Sequence, residues 1–185
     1  RRHTRYISVT GVQTCALPIS TGTIDASWGA GGVNRFRSPG ANEGASTCRV
    51  ADVIDDGDGG AYIVGSDNYL EIGTGARAFV TRLDESGAIS TPFADDGWWI
   101  LDTPANDEYI GICKSTNGRL VVGGVASASS LRGYGTDRIG AMAALTLLTA
   151  NGDLTPQMGG RSHFEFNLGG ERDRFRSEEH TSELQ

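Results

Sequence analysis

The residues with the clearest potential for chemistry form the acidic, glycine-rich stretch DDGDGG at positions 55–60. Carboxylates clustered in a tight turn suit a hard cation such as calcium, which makes Asp55, Asp56 and Asp58 candidate ligands. The stretch lacks the spacing of an EF-hand and the bidentate glutamate that ends such a loop. The alternative is an acidic hairpin turn, because residues 116–118 (TNG) turn a second hairpin without any carboxylate. We expect no cofactor other than this calcium.

Two long polar loops carry the side chains best suited to binding. They are residues 66–76 (SDNYLEIGTGA) and 126–140 (ASASSLRGYGTDRIG). Equivalent loops of a repeat protein emerge on one face, where insertions often bind ligands. The expected partner is a protein or a carbohydrate, and the alternative is that both loops are solvated and bind nothing specifically. The candidate binding residues are Tyr69, Arg132, Tyr134, Asp137 and Arg138.

Catalytic chemistry has little support between residues 21 and 175. His163 is the only histidine there, and no Ser/His/Asp or Cys/His set is marked by local sequence. Trp28, Trp98 and Trp99 are predicted to pack in the core and between repeated units rather than to form a sugar platform. We therefore assign no catalytic residue.

The cysteines give no compartment. Between residues 21 and 175 they are Cys48 and Cys113. We predict two buried free thiols, because unpaired cysteine is usually buried, and a disulfide between them stays open as the alternative.

Nine short apolar segments separated by glycine-rich turns predict an all-β fold. The segment 141–148 has the alanine and leucine content of a helix, but it aligns with the β-rich segment 78–83, which favours a strand. The predicted extended segments are 33–36, 49–54, 61–64, 78–83, 98–101, 109–113, 120–122, 141–148 and 163–166.

The motif GTIDASWG at residues 22–29 organises this pattern, because weaker copies of it return twice at an interval of 65 residues. Each copy places a glycine two positions before an aliphatic residue and six positions before a large apolar residue. Repeats of this size are typical of solenoids and propellers, whose units stack to bury a shared core. The motif residues are Gly22, Ile24, Asp25 and Trp28, then Gly87, Ile89 and Phe93, then Gly152, Leu154 and Met158.

Residues 21–175 resemble the delta-60 family of bacterial β-propeller repeats. Residues 59–65 and 118–124 fit the family's D-G-K-hydrophobic-hydrophobic-x-G element, residues 79–83 with Arg82 fit its F-x-x-x-R-hydrophobic strand, and residues 22–29 fit its G-x-L-D-x-S-F-G element. Later copies depart from the pattern, with Ser90 and Thr155 in place of aspartate and Leu147 in place of arginine.

The resemblance implies an incomplete β-propeller, with about two four-stranded antiparallel blades plus part of a preceding one. A closed propeller has about 4 to 8 blades, so further repeats of a parent chain are expected as partners. The resemblance also implies a non-catalytic scaffold or interaction module of a secreted or cell-surface protein. The alternatives are a carbohydrate-active or redox propeller enzyme whose catalytic residues lie in missing blades, and a calcium-dependent adhesion module.

Both ends of the chain resemble translated sequencing-library adapters. RRHTR at residues 1–5 and VTGVQTCALPI at 9–19 fit one adapter, and RSEEHTSELQ at 176–185 fits the same adapter in the opposite sense. We therefore predict that residues 1–20 and 176–185 are not native. The remaining domain is 21–175, a set of repeats of about 65 residues from a longer array.

Charge and hydropathy exclude two classes of partner. Residues 21–175 contain 12 Lys and Arg against 20 Asp and Glu, a formal net charge of 12 − 20 = −8. Because such a chain offers no basic patch for a phosphate backbone, we expect no nucleic acid partner. No apolar run reaches the length of about 18 residues that a transmembrane helix needs, so we expect no membrane insertion.

Overall fold

Eight short strands form two antiparallel sheets. The computed structural model describes residues 24, 26–39, 48–67, 75–103, 106–128, 142–155 and 163–166. The elements are β1 (Arg49–Asp55), β2 (Ala61–Asp67), β3 (Arg77–Leu83), a 3₁₀ turn (Phe93–Asp95), β4 (Trp98–Leu101), β5 (Asn106–Lys114), β6 (Leu120–Ala128), β7 (Met142–Leu148) and β8 (His163–Phe166). The first sheet has the order β1-β2-β3-β4 and the second β5-β6-β7-β8. The all-β prediction, with two antiparallel four-stranded sheets, is confirmed.

Eight of the nine segments predicted to be extended are strands. The segment 141–148 falls on β7, so the strand interpretation was right and the helix interpretation was wrong. The exception is 33–36, which forms no strand although it packs on the first sheet. Tight turns join the first two strands of each sheet. Gly118, at a φ of +80°, occupies the left-handed region in the second of these turns.

The 65-residue interval of the sequence motif is also an interval of the structure. After β3 the chain forms an isolated antiparallel bridge between Leu83 and Ile89, and after β7 it forms the same bridge between Leu148 and Leu154. The two sheets are therefore copies of one unit, which extends past its third strand into the motif.

The joint between successive units repeats at the same interval. The N–H of Gly29 donates to the carbonyl of Ser86 at 2.8 Å, and the N–H of Ala94 donates to the carbonyl of Asn151 at 2.7 Å. Both donors follow the large apolar residue of a motif, and both acceptors precede the glycine of the next motif. Each motif thus holds the turn of the unit that follows it.

The large apolar residue and the glycine of the motif have packing roles in these joints. Gly87 and Gly152 have φ values of +81° and +89°, which favour glycine. A Cβ at Gly87 would overlap the ring of Trp28, and a Cβ at Gly152 would overlap Ala94. Phe93 is 1% exposed. Ile24 and Leu154 are exposed, whereas Gly22, Asp25 and Met158 lie outside the described residues.

The first strand of each sheet carries a β-bulge at the same place. The register shifts between Val50 and Asp52 in β1 and, 59 residues later, between Tyr109 and Gly111 in β5. The offset is smaller here than in the motif because the loop between the second and third strands is longer in the second unit.

The glycine that ends the D-G-K-like element is required by this bulge. Gly65 and Gly124 approach the bulged strand so closely that a Cβ would overlap the carbonyl oxygens of Arg49 and Glu108. Glycine at these two positions therefore lets the second strand pair with the bulged first strand.

The main core lies between the two sheets. Tyr109 on β5 is fully buried, and its ring centroid lies 5.9 Å from that of Trp99 on β4. Period-two alternation along β2 and β3 places one set of apolar residues on this face. The buried cluster consists of Tyr62, Val64, Ala78, Val80, Phe93, Tyr109, Ile112, Leu120, Val122 and Leu148.

Residues 28–36 cover the opposite face of the first sheet. Trp98 is 8% exposed there, with its ring centroid 5.4 Å from Phe79 and 5.7 Å from Phe36. Trp28 packs against the same cluster. The packing prediction for the three tryptophans is confirmed, and the first sheet is covered on both faces.

Candidate functional site

The roots of the two long loops lie together at one end of the sheets. The N–H of Ala76, just before β3, donates to Asn106 Oδ1 at 3.0 Å, and the N–H of Asp107 donates to the carbonyl of Ala76 at 2.7 Å. Asn106 is paired with Ala128, the last residue of β6, in the second sheet. The first loop therefore returns to its sheet beside the point where the second loop leaves. We name this region the loop end.

The five residues predicted to bind a ligand are carried by these loops. Tyr69, Arg132, Tyr134, Asp137 and Arg138 lie outside the described residues. The prediction about their side chains therefore stays a prediction.

A buried charge cluster anchors the first loop at both of its roots. The carboxylate of Asp67, 1% exposed, accepts hydrogen bonds from the guanidinium of Arg77 and from the hydroxyl of Ser38, itself 3% exposed. The N–H of Arg77 donates to the same carboxylate at 3.2 Å, and its Nη2 donates to the carbonyl of Pro39 at 2.8 Å. Burial of the charge is compensated because both oxygens have partners.

Two further carboxylates are fully buried where β5 begins. Glu108 forms an ion pair with Arg49, whose side chain is 46% exposed. Asp107 accepts hydrogen bonds from the N–H and the hydroxyl of Thr103 at 2.7 and 2.8 Å. The loop end is therefore fixed by polar contacts between β1, β3, β5 and the segments that precede them. The Oγ of Ser66, the next-to-last residue of β2, is buried without a hydrogen-bond partner in the part of the chain that the structure describes.

The sequence analysis missed these anchoring residues. Asp67 and Arg77 carry charge at the ends of otherwise apolar strands, which is the only local signal they give. Glu108 gives still less, because its partner Arg49 is 59 residues away.

The acidic stretch 55–60 lies at the opposite end of the first sheet, in the β1–β2 turn. Asp56 is 3% exposed, and one oxygen accepts the N–H groups of Asp58 and Gly60 at 2.7 and 2.9 Å. The other oxygen accepts Nε and Nη2 of Arg82 at 2.9 and 2.7 Å. Burial acts to raise the pKa of Asp56, but the backbone N–H of Asp58 and the Arg82 guanidinium outweigh it and lower that pKa.

This geometry gives the calcium hypothesis no support. Asp55 accepts the N–H of Gly57 at 2.7 Å, and the side chain of Asp58 is 81% exposed. In the described parts of the chain, no three or more His, Cys, Asp and Glu side chains are grouped to hold a metal ion. The contacts fit the acidic turn, closed by an ion pair with Arg82.

The second unit replaces both partners of that ion pair. Ser115 stands at the position of Asp56, and Leu147 stands at the position of Arg82. The hydroxyl of Ser115 closes the shorter turn by donating to the carbonyl of Arg119 at 3.0 Å. The departure of Leu147 from the repeat pattern is thus matched by the loss of the carboxylate, so no buried charge is left unpaired.

His163 belongs to a hydrogen-bond chain that the local sequence does not mark. Its Nδ1 lies 2.8 Å from Thr146 Oγ1, which lies 2.7 Å from the hydroxyl of Tyr109, and its Nε2 lies 3.4 Å from Glu165. Thr146 is fully buried, so a substrate has no access to its hydroxyl. The chain ties β5, β7 and β8 together within the core, which is a structural role.

The cysteine prediction is wrong in one respect. Cys48 and Cys113 are free, as predicted, but both are exposed rather than buried, because they lie at the start and the end of first strands. Partial burial of the thiol, and then the negative charge of Asp67, raise the pKa of Cys48 to about 11. This thiol is therefore a poor nucleophile at neutral pH.

No family model, no curated protein and no solved structure matched this chain. In the part of the chain that the structure describes, no helix is long and apolar enough to cross a membrane.

Proposed function

We propose that this chain is a non-catalytic segment of a β-propeller-type repeat array, which serves as a scaffold and binds a protein or a carbohydrate through its loop end. The observation that carries the binding role is the junction of Ala76, Asn106 and Ala128, which brings the roots of both long loops together. A binding surface built from two loops needs this proximity, because neither loop alone covers a large area.

The scaffold role is supported by the repeated joint. Successive units meet through the same backbone hydrogen bond, at Gly29 and again at Ala94. A contact that recurs at a fixed interval is what an array of stacked units requires, since each unit then contacts only its neighbours. The resemblance to delta-60 repeats adds the propeller arrangement and the secreted or cell-surface location to this proposal.

The loop end also has the rigidity that a binding surface needs. Asp67 and Glu108 are buried and bonded to Arg77 and Arg49 from different strands, so the roots of the loops are held in one geometry. Loops on a rigid base lose less conformational entropy when they bind.

Panels of immobilised glycans and displayed peptides test this function. The chain is compared with a variant in which Tyr69, Arg132 and Tyr134 are changed to alanine, and with Asp58→Ala at the opposite end of the sheet as the matched control. We expect bound ligands to be lost from the loop variant and kept by the control, with the same melting temperature for all three. Ligands that bind the loop variant as well as the original chain, or enzymatic turnover of a bound glycan, contradict the proposal.

A further inference from the structure

The first strands of the two sheets are equivalent, but they are not equally covered. Tyr109 on β5 is fully buried against the first sheet, whereas Val50, which holds the same position in β1, is 47% exposed. Ile112 is 7% exposed in the core, whereas its counterpart Val53 is only half-buried. The strand β1 thus presents apolar side chains at positions that β5 uses to dock on a preceding sheet.

The surface that would receive such a strand is also incompletely covered. We define the outer face as the side of the second sheet that points away from the first, and it carries Val121, Ala143, Leu145, Leu147, Phe164 and Phe166. Leu145 and Phe164 are half-buried, whereas Val80, the counterpart of Leu145, is fully buried under β5. The rings of Phe164 and Phe166 are stacked, with centroids 6.0 Å apart.

The repeat relates this outer face to a surface with a known occupant. The ring of Trp99 lies beside Tyr109 in the joint between the sheets, and the residue 65 positions after Trp99 is Phe164. The shift that carries the first sheet onto the second therefore carries the seat of β5 onto the outer face. A strand with the pattern of β5 is the occupant that this seat fits, and β1 has that pattern.

We propose that β1 of one copy of this chain docks on the outer face of the second sheet of another copy, in the arrangement that β5 adopts on the first sheet. The proposal rests on the stacking of units in the proposed function and extends it from contacts within a chain to contacts between chains. Such a contact joins two different surfaces, so it generates either closed rings or open chains of molecules rather than a twofold dimer.

The polar contacts at this joint determine how strong it is. Within the chain Arg49 pairs with Glu108, and in the new joint Glu108 of one copy would meet Arg49 of the next, so the charges stay opposite. The hydrogen bond from the N–H of Ile112 to Asp52 has no counterpart, because Gly111 holds the position of Asp52 in the second unit. The joint between copies is therefore weaker than the joint within the chain, and we expect association to depend on concentration.

Sedimentation velocity over about a hundredfold range of concentration tests the proposal. We expect the chain to form species larger than a dimer as concentration rises, and Val50→Glu to remain monomeric because the buried carboxylate would lack a partner. Val33→Glu is the matched control, since Val33 is 49% exposed but lies outside β1. We expect this control to associate as the original chain does. Val50→Tyr, which copies Tyr109, should associate at lower concentration.

A mixing experiment shows whether the joint connects two different surfaces. Leu145→Glu removes the seat but leaves β1 intact, and Val50→Glu does the reverse. We expect each variant alone to be monomeric and an equal mixture to form a one-to-one dimer. If Leu145→Glu melts below the original chain, Phe164→Lys on the edge strand β8 replaces it as the seat variant.

Three results would overturn the proposal. They are a monomeric original chain at every concentration, association of Val50→Glu at the level of the original chain, and a mixture that stays monomeric. Each of these leaves the glycan and peptide binding of the loop end untouched, so the two proposals fail separately. A chain that is monomeric and still binds through its loops contradicts only the docking between copies.

Discussion

Arg49 and Glu108 hold the same position in the two successive sheets, 59 residues apart, and they form an ion pair with each other across the joint. A repeat made of identical units would place like charges at these positions, which would repel at short range. The sequence has instead diverged to opposite charges. The carboxylate is fully buried while the arginine side chain remains 46% exposed, so the pair connects the core to the surface at the loop end.

Removing the arginine of this pair should destabilise the chain. Arg49→Met keeps much of the aliphatic stem but leaves the buried carboxylate of Glu108 without its cation. We expect a loss of about 1–3 kcal/mol in the free energy of unfolding, measured by urea titration. Arg37→Met is the control, because Arg37 is exposed. Equal unfolding midpoints for the two variants would mean that the ion pair adds nothing to the joint.

The ion pair between Asp56 and Arg82 should make stability depend on pH. Burial acts to raise the pKa of Asp56, but the hydrogen bonds from Asp58 and Arg82 hold it below the ordinary value. A lowered folded pKa contributes stability that is present above the unfolded pKa of about 3.9 and is lost as the pH falls through the folded pKa. We expect Asp56→Asn to cost about 1–3 kcal/mol at neutral pH, and the difference from the original chain to shrink as the pH is lowered below about 4.

The matched control for this measurement is Asp58→Asn. The side chain of Asp58 is 81% exposed and lies 3.4 Å from Arg82, so we expect a change within about 0.5 kcal/mol. Urea midpoints of the three chains, taken across the acid range, give the comparison. A difference between Asp56→Asn and the original chain that is constant with pH would contradict the role assigned to the carboxylate.

Local signals in the sequence were sufficient for the strands and the turns. The apolar segments between glycine-rich turns correspond to β1 through β8, because alternation and turn chemistry act over a few residues. The interval of the motif predicted the second unit, including the strand β7, whose Ala and Leu content alone favours a helix. The motif interval also predicted that equivalent loops share one end, as the contact of Ala76 with Asn106 supports.

Contacts between residues far apart in the chain were not predictable in this way. The acidic stretch suggested calcium because its carboxylates are adjacent in sequence, but the partner of Asp56 is Arg82, 26 residues away on β3. In the same way Ser38 and Asp67 are 29 residues apart. Only the stacking of strands and sheets brings such pairs together, and no periodicity within one segment records it.

The glycines beside the bulges should be intolerant of any side chain. In Gly65→Ala the new Cβ would overlap the carbonyl oxygen of Arg49, so β1 and β2 must separate or lose the bulge. Gly118→Ala is the control, because Gly118 has a φ of +80° but open space around it, and it should cost about 1 kcal/mol from backbone strain alone. We expect Gly65→Ala to lower the melting temperature clearly more than the control, and a smaller effect would contradict the close approach.

The thiol of Cys48 should react slowly in the folded chain. Partial burial, followed by the charge of Asp67, raises its pKa from 9.0 to about 11, which reduces the thiolate fraction at neutral pH about a hundredfold. The more basic thiolate is the better nucleophile and offsets about tenfold of this, so the net rate should fall about tenfold on folding.

The measurement is the rate of reaction with an aromatic disulfide reagent, in a chain that retains only Cys48 after Cys15→Ser and Cys113→Ser. The folded chain is compared with the same chain in urea. A chain that retains only Cys113, also exposed, shows how much folding by itself slows a thiol on a first strand. Because the shift of Cys48 depends partly on Asp67, the folded rate should rise when Asp67→Asn removes the charge. A Cys48 thiol that reacts as fast folded as unfolded would contradict this account of its surroundings.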